Sequence, residues 1–211
     1  MSKRNIYQSL MVIVLVMQVQ FSFAENTSAG SNSIKQTQVT ADNEVIGGDF
    51  TLTDHNGKPF SLKSQRGKLV LIFFGYTYCP DICPTELSAL STVLKSLEKD
   101  VDKVTALFIT VDPERDTVDK LKNYVHYYSP HLIGLTGSKE DIDKVTKAYH
   151  VQYKIHPHKS TDKNYIVDHS ASLYVVNQQG KLDQIIPFGL PVKHIQTVIS
   201  EKVMTKDISL E

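Results

Sequence analysis

The stretch Lys68-Leu-Val-Leu-Ile-Phe-Phe-Gly75-Tyr-Thr-Tyr-Cys79-Pro-Asp-Ile-Cys83-Pro-Thr-Glu86 decides the fold. Its first half is a continuous apolar run bounded by Gly67 and Gly75, which suits a strand buried on both faces at the centre of an α/β sheet. Beyond its second half, Leu87, Leu90, Leu94 and Leu97 recur at helical spacing, so a helix is predicted to run to about Lys99. The two cysteines therefore lie where a buried strand gives way to a helix. Open α/β sheets place their ligands in the loops at the carboxyl ends of strands.

Working outward, Phe50 and Leu52 alternate with polar residues, Asn56-Gly57 supplies a turn signal, and Phe60 and Leu62 resume the alternation. This predicts a β-hairpin ahead of the central strand. Downstream, a second buried strand is expected over Val104–Val111, a helix over Thr117–Tyr128, a short strand over Leu132–Leu135 and a helix over Lys139–Tyr149. Strands over Ala171–Val176 and Leu182–Phe188 are joined by the turn Asn177-Gln-Gln-Gly180. Pro191 then opens a last helix with Val192, Ile195 and Val198 facing inward. Strands alternating with helices make a layered α/β sandwich. The order resembles a thioredoxin-like three-layer sandwich with an added N-terminal β-hairpin.

The ends and the composition bound the remaining possibilities. Of 211 residues, 41% are hydrophobic and 22% charged, a globular composition, and 23 basic residues balance 23 acidic ones. With no basic stripe, nucleic acid is excluded as a partner. Lys3 and Arg4, the apolar run Leu10 to Val19, and Ser22-Phe23-Ala24 read as an export signal over residues 1–24. Its apolar run falls short of the ~20 residues of a comfortable membrane span, so cleavage is expected over anchoring. Residues 25–44 are polar and read as a flexible tether, residues 45–204 as one folded domain, and residues 205–211 as a tail.

Only two cysteines are present, so no disulfide scaffold exists. As a staple, Cys79 and Cys83 would close a tiny loop and contribute little. At a helix N-terminus, however, a thiol is drawn toward thiolate, which is both the nucleophile and the metal ligand. If both sat at helical i,i+4 spacing, their Cβ atoms would be ~5–6 Å apart on one face. Such a pair can bridge as a disulfide or reach one metal. Pro80 and Pro84 each follow a cysteine and restrict the backbone.

A third ligand must come from His55, His126, His131, His150, His156, His158, His169 or His194. His169 alone sits directly before a strongly apolar inner strand, in the loop that a thioredoxin-type fold turns toward the cysteines. Two thiolates and one imidazole favour Cu(I) and tolerate Cu(II). Structural zinc usually takes four protein ligands, and no fourth is evident. Asp168 reads as a support for its neighbour rather than a ligand.

The blocks Phe74-Gly-Tyr-Thr-Tyr-Cys-Pro-Asp-Ile-Cys-Pro84, Val111-Asp-Pro-Glu-Arg-Asp116 and Tyr165-Ile-Val-Asp-His169 resemble the three signature blocks of the Sco/SenC family. The resemblance spans about Gly47 to Val203. It implies a copper metallochaperone that holds one copper per chain on Cys79, Cys83 and His169 and delivers it to the copper A centre of cytochrome c oxidase. The implied partners are oxidase subunit II or its assembly factors and a periplasmic copper donor or thiol reductant. The expected location is periplasmic or otherwise extracytoplasmic, and the expected form a monomer.

Two further segments stand out. His156 and His158 flank Pro157 and could touch a second metal ion, but so short a tract is read as a solvated basic loop. Asp112, Arg115 and Asp116 follow a strand end. Three readings stay open for them: orienting the cysteine loop, forming a docking face, or simply capping the next helix. The rival function is a thiol–disulfide oxidoreductase using Cys79 and Cys83 as its redox pair. His169-Ser170 stands where thioredoxins keep a cis-proline, which weighs against it. A peroxiredoxin is disfavoured because Pro80 occupies the place of that family's Thr or Ser.

Overall fold

The computed structural model describes residues 45–156 and 164–205. The expected signal and tether, residues 206–211 of the expected tail, and His158 lie outside the described residues. Within these bounds the chain forms nine strands and four α-helices. They are β1 (Thr51–Asp54), β2 (Pro59–Ser61), β3 (Leu69–Gly75), α1 (Ile82–Ser96), β4 (Val104–Thr110), α2 (Val118–Tyr128) and β5 (Leu132–Thr136). After these come α3 (Lys139–Ala148), β6 (Tyr153–Ile155), β7 (Val167–His169), β8 (Leu173–Val176), β9 (Leu182–Ile186) and α4 (Val192–Met204).

Seven strands make one sheet in the order β2-β1-β5-β4-β3-β8-β9. Every residue of β3 and of β4 is buried, so both faces of the sheet centre are covered. That is the three-layer arrangement expected of a thioredoxin-like α/β fold. β3, β4 and β5 run parallel, and β8 returns antiparallel to β3 with Phe73 opposite Leu173. β9 is antiparallel to β8, and the hairpin of β1 and β2 attaches at the other edge, through β5. The expected turns are present: Gly57 and Gly180 both take positive φ, which a side chain would strain.

Several boundaries differ from the sequence expectation for local reasons. The helix starts at Ile82 and so includes Cys83 but not Cys79, because Pro80 and Asp81 sit in the turn before it. It ends at Ser96, and a tighter 3-10 segment, Glu98–Lys103, continues to β4. Pro84 is accommodated because its position in the first turn needs no backbone N–H. β8 begins at Leu173, two residues later than predicted, and β9 stops at Ile186. Thr117 caps α2 with its side chain rather than joining the helix.

The inward stripe of α4 is centred differently from the sequence reading. Ile195 and Ile199 are buried at 2% and 0% exposure, whereas Val192 and Val198 are only partly covered. An i,i+4 pair lines up along the helix face that packs against α1. Ile199→Ala should lower unfolding stability by about 2–5 kcal/mol. Val198→Ala should cost clearly less, and chemical denaturation of the two variants checks the difference.

One acid lies among the apolar residues of α1. Glu86 is 4% exposed, and burial alone pushes its carboxyl from an ordinary 4.5 up to about 7. The neutral form is favoured on folding, so this group's contribution is complete below about 4.5 and is lost as pH rises through about 7. Glu86→Gln should remove a stability decline on the order of 1–3 kcal/mol between those two pH values. Denaturation midpoints measured across that range are the check, and an unaltered pH slope would contradict it.

Candidate metal site

The site forms where β3 ends. After Gly75 the chain turns through Tyr76, Thr77 and Tyr78, and the Cys79 N–H returns to the Tyr76 carbonyl at 3.2 Å. Cys79 thus precedes the helix, so the two cysteines do not share a helical face as the i,i+4 spacing suggested. Cys83 sits in the first turn of α1, with its N–H directed at Cys79 Sγ at 3.4 Å. The Cys79 sulfur therefore takes a place near the free N–H groups of the helix end, where negative charge is favoured. Neither cysteine is in a disulfide.

Gly75 makes room for this arrangement. A Cβ on it would lie 2.6 Å from Cys83 Sγ and 2.9 Å from the Phe108 ring, so only glycine lets the buried thiol rest against the strand. Cys83 is fully buried and Cys79 9% exposed.

The third member arrives on a strand rather than in a loop. β6 and β7 pair as a separate two-stranded ribbon in which Tyr153 faces His169. His169 Nε2 lies 3.4 Å from Cys83 Sγ, and its Nδ1 is 3.0 Å from the Ser170 carbonyl. A carbonyl can only accept, so Nδ1 carries the proton and the Nε2 lone pair faces the sulfurs. The rings of Phe73 and Tyr76 meet the imidazole edge-to-face, with centroids 6.2 and 5.8 Å away. Ligand atoms of Cys79, Cys83 and His169 all fall within 4.8 Å of one another, and this is the one such cluster among the described residues. Metal–ligand bonds of about 2.0–2.3 Å would close on one ion with side-chain adjustment alone.

The two thiols differ in acidity. A hydrogen bond from Cys83 pulls the Cys79 thiol down to about 3, against the cost of burial and with help from the backbone N–H groups of Cys83 and Asp81. Cys83, giving that hydrogen bond from a buried position, is pushed strongly upward. The metal-free, reduced pair thus holds one thiolate at the outer sulfur and one thiol at the inner.

The segment after β4 proves to be internal. Asp112, Arg115 and Asp116 are at most 5% exposed, which rules out a docking face made of these side chains. Asp116 accepts the Thr77 N–H at 2.9 Å, the Thr77 hydroxyl at 2.5 Å and the Thr110 hydroxyl at 2.7 Å. It therefore anchors the turn that leads to Cys79. Asp112 receives the Arg115 Nε–H and, at 2.7 Å, the Tyr165 hydroxyl.

Sequence reasoning did not anticipate Tyr76, whose hydroxyl accepts the Val167 N–H at 3.3 Å and ties the cysteine turn to β7. No local signal marks this contact, because its partners lie far apart in the chain. Asp168 does not support His169. Neighbours on a strand point to opposite faces, and its carboxylate meets His156 Nε2 at 2.7 Å instead. Among the other histidines, His55 is engaged by the Gly134 N–H at 2.9 Å.

A thioredoxin-like sheet carrying two cysteines at a strand-to-helix turn and one histidine opposite them defines a class: small α/β domains with a soft-metal or dithiol centre. Comparison with known proteins narrows this. The SCO1/SenC family model matches residues 38–204. The chain is 45% identical over 149 residues to "Protein SCO1 homolog, mitochondrial" of Mus musculus, covering 70% of this chain and 52% of that protein. It is 42% identical over 146 residues to a "SCO2-like protein" of Rickettsia felis, covering 69% and 71% respectively. Against "Structure of Bradyrhizobium japonicum ScoI with copper bound" it shows 44% identity and a TM-score of 0.69, over 74% of this chain and 99% of that one. The chain belongs to the SCO1/SenC family. It spans about half the length of several of its curated mitochondrial relatives, 52% in the mouse protein.

The acidity of Cys79 is directly measurable. In reduced, metal-free protein, ultraviolet thiolate absorbance should report one thiolate per chain from neutral pH downward, disappearing only as pH falls toward about 3. Alkylation at neutral pH should modify Cys79 before Cys83. A thiolate band first appearing above pH 8, as for an ordinary cysteine, would contradict this.

Proposed function

We propose that the reduced protein binds one copper ion through Cys79, Cys83 and His169 and delivers it to the copper A centre of cytochrome c oxidase. The observation that carries this reading is the convergence of a thiolate, a thiol and an imidazole lone pair within 4.8 Å. Thiolates select Cu(I), and the imidazole allows Cu(II) as well. A set of three protein donors leaves a coordination position for a ligand from the recipient. Ion transfer can then proceed by exchange of one donor for another rather than by release to water. The bacterial relative of 44% identity, described with copper bound, supports the metal.

The recipient is read as oxidase subunit II or an assembly factor that presents it, with a separate copper donor or thiol reductant upstream. The protein is read as a monomer in the periplasm or another extracytoplasmic space. Residues 1–24 act as its signal, or as an anchor where they are retained. Among the described residues, no helix is long and apolar enough to cross a membrane.

The same pair supports thiol–disulfide exchange as a second role. A low-pKa outer sulfur is suited to attack, and a buried inner thiol to resolve the mixed disulfide. Such exchange would prepare the cysteines of a recipient's copper site.

Titration of the purified domain with Cu(I) and with Cu(II) tests the main reading. One equivalent per chain should bind. His169→Ala should abolish the intense thiolate-to-Cu(II) absorption and weaken Cu(I) binding by more than the roughly 10–100-fold typical of losing a residue outside the ligand set. Replacing both cysteines should eliminate tight binding of either ion. Unchanged binding in His169→Ala would remove the histidine from the site and leave dithiol chemistry as the function.

A further inference from the structure

One buried cation touches both halves of the site without being a ligand. Arg115 is 5% exposed, and its guanidinium lies 3.4 Å from the Tyr165 ring centroid, 4.8 Å from that of Tyr78 and 5.4 Å from that of Tyr76. Its Nη1 donates to the Tyr165 carbonyl at 2.8 Å, and its Nε donates to Asp112. The other Asp112 oxygen takes the Tyr165 hydroxyl. Tyr76 and Tyr78 belong to the turn that ends in Cys79, whereas Tyr165 begins the segment that ends in His169.

Taking a guanidinium out of water is costly unless its donors and its faces are all engaged. Here the Asp112 carboxylate takes Nε–H, the Tyr165 carbonyl takes Nη1–H and aromatic rings lie against the guanidinium, a set that only a planar fork can use together. Of the three rings, those of Tyr76 and Tyr78 come from the cysteine side and that of Tyr165 from the histidine side. Among the described residues, no main-sheet pairing holds β7 against the cysteine turn, and β7 pairs with β6.

We propose that Arg115 is a positioning residue that sets the separation between His169 Nε2 and the two sulfurs by clamping Tyr165 against Tyr76 and Tyr78. Its effect on copper passes through His169, so this inference rests on the copper reading given above. The clamp itself also exists in the metal-free protein.

The test is a double-variant comparison using Arg115→Lys, His169→Ala and the two combined, with copper itself as the probe. Arg115→Lys keeps the charge but loses the fork and the flat stacking face. It should retain one Cu(I) per chain at roughly 10–100-fold weaker affinity, and lose most of the thiolate-to-Cu(II) band. Because the arginine acts through the histidine, the combined variant should match His169→Ala alone rather than show the sum of both losses. Free imidazole should restore the Cu(II) band in each variant. In the metal-free protein, nuclear Overhauser contacts from His169 to the Phe73 and Tyr76 rings should weaken in Arg115→Lys.

Wild-type copper affinity, band and ring contacts in Arg115→Lys would overturn the proposal, as would additive losses in the combined variant. Should Arg115→Lys fail to fold, Tyr165→Phe decides. It removes only the hydroxyl bond to Asp112 and should weaken the same band and ring contacts several-fold less; no change in either would overturn the clamp. If His169→Ala leaves wild-type copper binding intact, it is the copper reading that fails, and the metal-free ring contacts still judge Arg115.

Discussion

The antiparallel pairing of β3 with β8 is the constraint on which the site depends. It places Leu173 beside Phe73, so the chain just before Leu173 and the chain just after Phe73 emerge at the same end of the sheet. Cys79 and Cys83 follow one strand and His169 precedes the other, and the three meet because of that register. A slip of one residue would exchange the two faces of β8, all of whose residues are buried, and carry the histidine away with it. The full burial of β3 and β4 makes such a slip prohibitive.

Around this frame, short-range features refine the chemistry. Helix α1 begins after Cys79, so the outer sulfur faces free backbone N–H groups, while the inner cysteine is carried into the core against Gly75. The asymmetry in acidity follows first from the hydrogen bond that the inner thiol gives the outer sulfur, then from the inner cysteine's burial and the backbone N–H groups at the outer one. On the other side, the Ser170 carbonyl fixes which imidazole nitrogen bears the proton, so the lone pair faces the sulfurs before any ion arrives. The loop Asp112–Asp116 then acts as an internal splint. Asp116 holds Thr77, Arg115 holds Tyr165, and Tyr76 reaches across to Val167.

How much of this was readable in the residues follows from the range of the interactions involved. The uniform apolar run at 69–75, the leucine spacing of α1 and the Asn-Gly turn are local patterns, and they appear where expected. The cysteine pair was recognisable from composition and context. Its exact geometry was not, since the start of α1 depends on how Pro80 and Asp81 close the turn. β6 and β7 are three residues each and exist only through pairing with each other, so nothing in Val167-Asp-His169 alone announces a strand. Likewise, the choice among a splint, a cap and a docking face for Asp112, Arg115 and Asp116 needed their burial. In α4, Val198 and Ile199 are adjacent and both apolar, so the packing of the helix against α1 had to decide which one faces inward.

The central claim is that one copper ion is held by two sulfurs and one imidazole drawn from segments 86 residues apart in the chain. X-ray absorption at the copper edge of the loaded protein measures this most directly. The account predicts a first shell fitted by two sulfur donors and one nitrogen with the multiple-scattering pattern of imidazole. That nitrogen pattern should vanish when His169 is replaced. A shell without sulfur, or one whose imidazole pattern persists in the His169 variant, would contradict it.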